Sequence, residues 1–284
     1  MNKLQNTLLA NAIFSGMSGI GLLLFHKEIA DIFSVNSSTT FWIVGIALIY
    51  FASTITYEIF KQRPITILFI IIQDILWVIG SIILLVSQPF GISITGNYII
   101  AAIALIVFFM AIAQSKALSK VDTIDADGKK RLRFKTIFNA NGTKVWKVIS
   151  DVGNVYKVAP NIDDSSIVSG NGEGMIRSCS HGKDSWTETC SLWKEEEAIS
   201  FVVHTDKPDY PYPLSFLQGA WYIKEIDSNN TEVEMIFDLK FKNKLQNLFV
   251  YPLMKFKFGK SFNVLLDNWK AIIEEHSNGS WFFA

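Results

Sequence analysis

The residues best equipped for chemistry sit in two short stretches, Met175–His181 and Ser185–Trp193, around the turn Gly182-Lys183-Asp184. Side chains two apart on a strand share a face, so Arg177, Cys179 and His181 form one set and Trp186, Glu188 and Cys190 another. An arginine and a glutamate on facing strands can serve different ends. They can form a cross-strand ion pair that fixes the sheet. They can orient the polar end of an otherwise apolar ligand. They can also act in proton transfer, Glu188 as general acid/base and Arg177 steadying an enolate, provided that the carboxyl sits in a dry pocket. His181 lies near the hairpin end, where an exposed histidine is expected rather than a catalytic base.

Other chemistries find no support. No Ser-His-Asp or Cys-His arrangement, phosphate loop or metal motif is present. Cys179 and Cys190 match no metal-ligand spacing, and His26, His181, His204 and His276 are scattered. No metal site and no cofactor are expected. Lys+Arg and Asp+Glu number 26 each, so nothing points to nucleic acid.

The elements that position these residues fall into two parts of different solvent. Half of the 284 residues are hydrophobic, and residues 1–118 hold only five Lys/Arg and four Asp/Glu. Four apolar runs fill that region: Leu4–Phe25, Phe41–Phe60, Ile65–Ser87 and Thr95–Gln114. Each approaches the ~20 residues that span ~30 Å of hydrocarbon. The first lacks a convincing small-residue cleavage site and reads as a retained span rather than a signal peptide. Short connections predict an up-down four-helix bundle in a lipid bilayer. Lys3, Lys61, Arg63 and the basic stretch after the fourth run, against connections poor in lysine and arginine, place both termini in the cytoplasm. Cys179 and Cys190 are then free thiols, and the glycosylation matches at Asn141, Asn229 and Asn278 are silent.

Asp74 lies nine residues into the third run, about 13.5 Å deep at ~1.5 Å per residue. An acid at that depth needs a partner inside the bundle. Ser15, Ser18, Ser53, Thr54 and the neighbouring Gln73 share its depth. It reads either as a proton or ion site or as a protonated acid bonding across helices. The Ser15-Gly16-x-Ser18-Gly19 cluster predicts a close helix contact.

Residues 119–130 are polar, contain Asp127-Gly128 and read as a linker. Beyond it, 131–276 form a second domain, with 277–284 as a tail. Leu132, Phe134, Thr136 and Phe138 alternate as a strand, and Lys144–Ile149 starts a short helix. A second helical piece ends at Pro160. Strands are predicted at Ser166–Ser169, Met175–His181, Ser185–Trp193, Ala198–Thr205, Phe216–Ile226 and Glu232–Phe241, then a helix over Leu253–His276. On the last strand Val233, Met235, Phe237, Leu239 and Phe241 face one side. The fold class is α+β: about seven strands in a twisted antiparallel sheet, two short helices and a long final helix.

Gly172-Glu-Gly-Met-Ile-Arg177, then Thr187-Glu188-Thr189 and Ile199-Ser-Phe201, resemble the polyketide cyclase and dehydrase branch of the START-like (SRPBCC) superfamily. Val145-Trp146, Ile149-Ser150-Asp151, Tyr156 and Ala159-Pro160 are similar to that branch's opening helices. The resemblance covers about 130–276 and leaves the N-terminal region unmatched. It implies a helix-grip fold enclosing an apolar cavity, with Arg177, Glu188, Phe201 and Val203 on the wall. Cys179, Trp186, Met235 and Phe237 join them as pocket candidates. His204 has the opposite parity and is expected to face solvent, while Tyr210 and Tyr212 either rim the entrance or merely sit in a loop stiffened by prolines.

From Lys240 to Lys260 six lysines alternate with aromatics and no acid intervenes. Lys255, Lys257 and Lys260 are candidates for an anionic membrane surface, unless the segment is an ordinary amphipathic helix. The leading expectation is a membrane-anchored module binding or carrying an apolar small molecule or lipid. A cyclase- or dehydrase-like enzyme and a tethered interaction or sensor protein are the alternatives.

Overall fold

A computed structural model describes residues 1–275; His276 and the 277–284 tail, including Asn278, lie outside the described residues. The chain divides into two compact units, Met1–Val121 and a second beginning at Asp122.

In the first unit α1 (Lys3–Leu24), α3 (Thr39–Lys61), α4 (Pro64–Ser87) and α5 (Ile94–Leu118) are long and apolar enough to cross a membrane. Between α1 and α3 lies a short helix, α2 (His26–Phe33), that the hydropathy pattern did not reveal. It is amphipathic and buries Ala30 and Phe33. Helix ends follow local chemistry. Asn2 and Gln5 form a capping box on α1, and Pro64 occupies the first turn of α4. Buried Glu58 near the end of α3 pairs with Arg63, tying down the turn into α4. The expected close contact is present: a Cβ at Gly19 of α1 would stand 2.9 Å from the Gly45 carbonyl oxygen of α3, so only glycine permits this approach.

Asp74 of α4 is buried, as expected, but its partners differ from those of matching depth. Asn11 Nδ2 of α1 and Gln114 Nε2 of α5 donate to Asp74 Oδ2 at 2.8 and 2.9 Å. Ser15 joins only through Asn11, to which its hydroxyl donates at 3.0 Å. Ser53, Thr54 and Gln73 instead donate to carbonyls of their own helices. Depth fixes a residue's height on a helix but not the direction it faces.

The second unit contains β1 (Lys130–Phe138), α6 (Gly142–Ile149), a 3-10 turn (Val152–Lys157), β2 (Asp164–Ser169), β3 (Ile176–His181), β4 (Asp184–Lys194), β5 (Ala198–Val203), β6 (Leu214–Asp227), β7 (Asn230–Phe241) and α7 (Lys244–Glu275). The seven strands form one antiparallel sheet, ordered β1-β7-β6-β5-β4-β3-β2. Its apolar face closes on α7: Leu132, Phe138, Val233, Met235 and Leu239 share a core with Phe262, Leu265, Trp269 and Ile273. This is the helix-grip arrangement.

The last helix begins at Lys244, nine residues before the expected Leu253. Pro252 lies inside α7. The true start is capped by Asn243, whose Oδ1 accepts from Gln246 N at 2.9 Å. The extra turns bring fully buried Tyr251 onto the sheet, where its hydroxyl donates to Asp122. Lys255 Nζ reaches the same carboxylate at 2.7 Å. Lys130 Nζ sits 4.1 Å above the Tyr251 ring, and burial pulls its pKa down to about 8.

The Asp74 cluster makes a testable statement about the first unit. Asp74→Asn keeps an acceptor for both amides and should leave insertion and stability intact. Asp74→Leu strands two buried donors and should lower the stability of the detergent-solubilised chain by on the order of 0.6–2 kcal/mol, read by denaturant titration. Equal losses in both variants would show that the carboxylate itself, rather than its acceptor geometry, holds the helices.

Candidate functional site

The pairing of β3 with β4 sets Arg177 opposite Glu188, and that of β4 with β5 sets Glu188 opposite Val203. All three side chains turn inward. Arg177 is 4% and Glu188 6% exposed, and Arg177 Nη2 donates to Glu188 Oε2 at 2.7 Å. The other carboxylate oxygen, Oε1, accepts from Trp186 Nε1 at 2.7 Å. Arg177 Nη1 donates to the Val152 carbonyl at 3.1 Å, and the guanidinium lies 4.2 Å over the Phe201 ring. Burial disfavours the charge on Arg177, but the Glu188 carboxylate outweighs it and holds the guanidinium pKa above its ordinary value. Cys179 lies beside this pair; burial above all, then Glu188, pushes its thiol up to about 12. Burial also raises Cys190. Neither is a nucleophile at neutral pH.

The other pocket candidates fall on the same inner face. Phe201, Val203, Met235 and Phe237 are buried in one apolar cluster, with Trp186 packed against it. Phe237 stacks on Phe262 of α7 at 4.3 Å and meets Trp221 edge-on at 5.8 Å. This crowding explains Gly219 of β6. A Cβ there would stand 2.9 Å from Phe237 and 3.1 Å from Trp221.

The wall also carries polar atoms without partners. Arg177 Nε, the Tyr210 hydroxyl and Trp221 Nε1 are buried and make no hydrogen bond among the described residues. Tyr210 is a buried member of the core. Burial raises its pKa, with Tyr212 and Glu188 contributing. Tyr212, half-buried, stands between Trp186 and Tyr210 at ring separations of 5.8 and 5.7 Å. Next to Trp186 and Tyr210 a cleft of about 70 Å³ is bounded also by Ser178, Thr187, His204 and Lys207. That is well below the ~300–1,000 Å³ of drug-sized ligand sites.

The remaining residues lie elsewhere. His181 is exposed, 3.4 Å from Asp163. His204 does lie on the outer face, yet it is half-buried rather than solvated, its ring nitrogens 2.7 Å from the hydroxyls of Thr187 and Thr189. Lys257 and Lys260 are exposed, whereas Lys255 is taken up by Asp122. Among the described residues no cluster of His, Cys, Asp and Glu is arranged to hold a metal. Sequence reading missed the Val152 carbonyl, Tyr210 as a wall residue, and Trp221. Gly219, alone inside a strand, was the one available signal for the last.

An inward-facing, mostly aromatic wall under a long helix is the architecture of the START-like group. The chain belongs to the polyketide cyclase/dehydrase and lipid transport family, whose model matches residues 130–274. Among solved structures it is similar to the ZhuI aromatase/cyclase of Streptomyces sp. R1128, at 13% identity over 51% of this chain and 96% of that one, TM-score 0.38. It is also similar to a START superfamily protein of Mycobacterium smegmatis, at 12% identity over 51% and 97%, TM-score 0.42. A norcoclaurine synthase from Thalictrum flavum matches at 14% identity over 52% and 96%, TM-score 0.43. A search of curated proteins finds no match.

Removing Arg177 alone leaves Glu188 buried without its cation, so Arg177→Ala should cost about 3–5 kcal/mol. Replacing both, Arg177→Met with Glu188→Met, should regain most of that. Thermal unfolding followed by tryptophan fluorescence distinguishes the cases. A double variant as unstable as Arg177→Ala would mean that the charges themselves hold the interior together.

Proposed function

We propose that this chain is a membrane-anchored module that binds or carries an apolar small molecule or lipid inside its helix-grip domain. The observation that carries the reading is a buried Arg177–Glu188 pair on an otherwise apolar wall, accompanied by unpartnered donors. A hydrophobic substitute for a buried ion pair is often equally stable, and each unsatisfied buried donor costs about 1–3 kcal/mol. Packing alone gives no reason to keep such groups. A ligand oxygen that accepts from such a donor, as Arg177 Nε offers, does. The ligand is therefore apolar over most of its surface and carries an acceptor such as a carbonyl or carboxylate.

Both oxygens of Glu188 are already engaged by fixed donors. This favours a positioning role for Glu188 over proton transfer. The four apolar helices supply the anchor. The lysine and arginine asymmetry around them supports cytoplasmic termini, which a reporter fused after residue 118 would check.

Titration of the full chain in detergent with a fluorescent fatty acid tests the binding. Saturable binding is expected in the wild type. Arg177→Lys should weaken it about tenfold to a hundredfold, the equivalent of a charge-assisted bond worth ~1.5–3 kcal/mol. Phe201→Ala should weaken binding of charged and neutral apolar ligands alike. Turnover lost in Glu188→Gln with binding retained would favour the enzyme. No saturable binding across varied apolar ligands would favour an interaction module.

A further inference from the structure

The N-terminal half of α7 presents an apolar stripe to solvent. Leu245 is 69%, Phe249 42%, Leu253 44% and Phe256 47% exposed. Their spacings of four, four and three put them on one face of the helix. The next residue in the series is Lys260, whose Nζ lies 4.7 Å from the Phe256 ring centroid. The core-facing residues Tyr251, Phe262, Leu265, Trp269 and Ile273 occupy the opposite side. The grip core therefore does not account for the stripe, which runs ~16 Å along the helix.

Charge indicates what covers it. Lys242, Lys244, Lys257 and Lys260 are exposed around the two ends of the stripe. No Asp or Glu occurs from Leu239 through Leu266, and Lys255 is neutralised by Asp122. Farther along, the exposed face of α7 changes character to Asn263, Val264, Asp267 and Asn268. The apolar and basic features thus coincide over the same few turns. Protein interfaces are depleted of lysine, whereas aromatic and aliphatic groups bracketed by lysines suit the headgroup layer of an anionic bilayer. The same chain carries four helices long enough to cross a membrane.

We propose that residues 242–260 form a docking surface by which the grip domain seats on an anionic lipid bilayer, Leu245, Phe249, Leu253 and Phe256 entering the interface and the four exposed lysines meeting lipid phosphates. This goes beyond ligand binding in the grip interior and stands or fails independently of it.

The test uses the full chain in nanodiscs, with a bimane probe on Phe249→Cys; Cys179 and Cys190 are buried. Discs of phosphatidylglycerol or phosphatidylcholine carry a headgroup-proximal nitroxide lipid. The expected result is a blue shift and loss of emission in phosphatidylglycerol, much weaker in phosphatidylcholine. It should diminish at ~1 M salt, where screening acts within ~3 Å, and in the combined Lys242→Glu, Lys244→Glu, Lys257→Glu, Lys260→Glu variant. A probe on Lys224→Cys, exposed on β6, should report little quenching. Absence of quenching in phosphatidylglycerol would overturn the proposal. So would quenching indifferent to lipid charge and to the lysines, or equally strong at Lys224→Cys. An emission change that follows the number of chains per disc would assign the stripe to a second copy instead. The salt and control-site arms do not depend on the four-lysine variant being well folded.

Discussion

A guanidinium cannot give up its proton at any pH a protein survives, so an arginine taken out of water must find its counter-charge inside. Arg177 is taken out of water on the inner face of the sheet, and its surroundings answer that need. Glu188 supplies the charge, Trp186 occupies the carboxylate's second oxygen, the Val152 carbonyl takes one guanidinium edge and Phe201 lies against its face. The partners come from β4, β5 and the turn after α6, so the pair ties these to β3. Of the guanidinium nitrogens only Nε is left without a partner among the described residues. That one atom separates a purely architectural ion pair from a device for holding something else.

The same physics operates in the first unit with other materials. Asp74 is enclosed by apolar helices and has no cation; two amides from α1 and α5 serve it instead. Amide donors satisfy either the carboxylate or the protonated acid through its carbonyl oxygen. The cluster thus works as a three-helix clasp whatever the charge, just as Gly19 and Gly45 set how closely α1 and α3 approach.

Much of this was legible in the sequence because it rests on periodicity. The four apolar runs, the seven strands and the shared faces of Arg177 with Cys179 and of Trp186 with Glu188 follow from spacing, while the family resemblance supplied which face turns inward. What was not legible depends on direction or distance in three dimensions. Depth along α4 could not show that Asp74 faces Asn11 and Gln114 rather than Ser53. Tyr210 does lie in a loop, and its burial depends on packing against the core of the folded domain, which spacing cannot show. The final helix was expected only from Leu253, whereas it starts at Lys244 behind the Asn243 cap and runs on through Pro252. For Lys255 the sequence showed a charge but not its partner Asp122, more than a hundred residues away.

The most direct test follows Arg177 Nε. In the full chain labelled with ¹⁵N-arginine, the Nε–H resonance of Arg177, assigned through Arg177→Lys, reports whether a ligand acceptor reaches it. If the pair orients a bound molecule, saturation with an acceptor-bearing apolar ligand should shift that resonance downfield and slow its exchange with water. The other arginine Nε–H signals should stay in place. A resonance that stays in place while the ligand saturates, or that is already shifted and protected in ligand-free protein, would contradict the orienting role and leave Arg177–Glu188 as architecture alone.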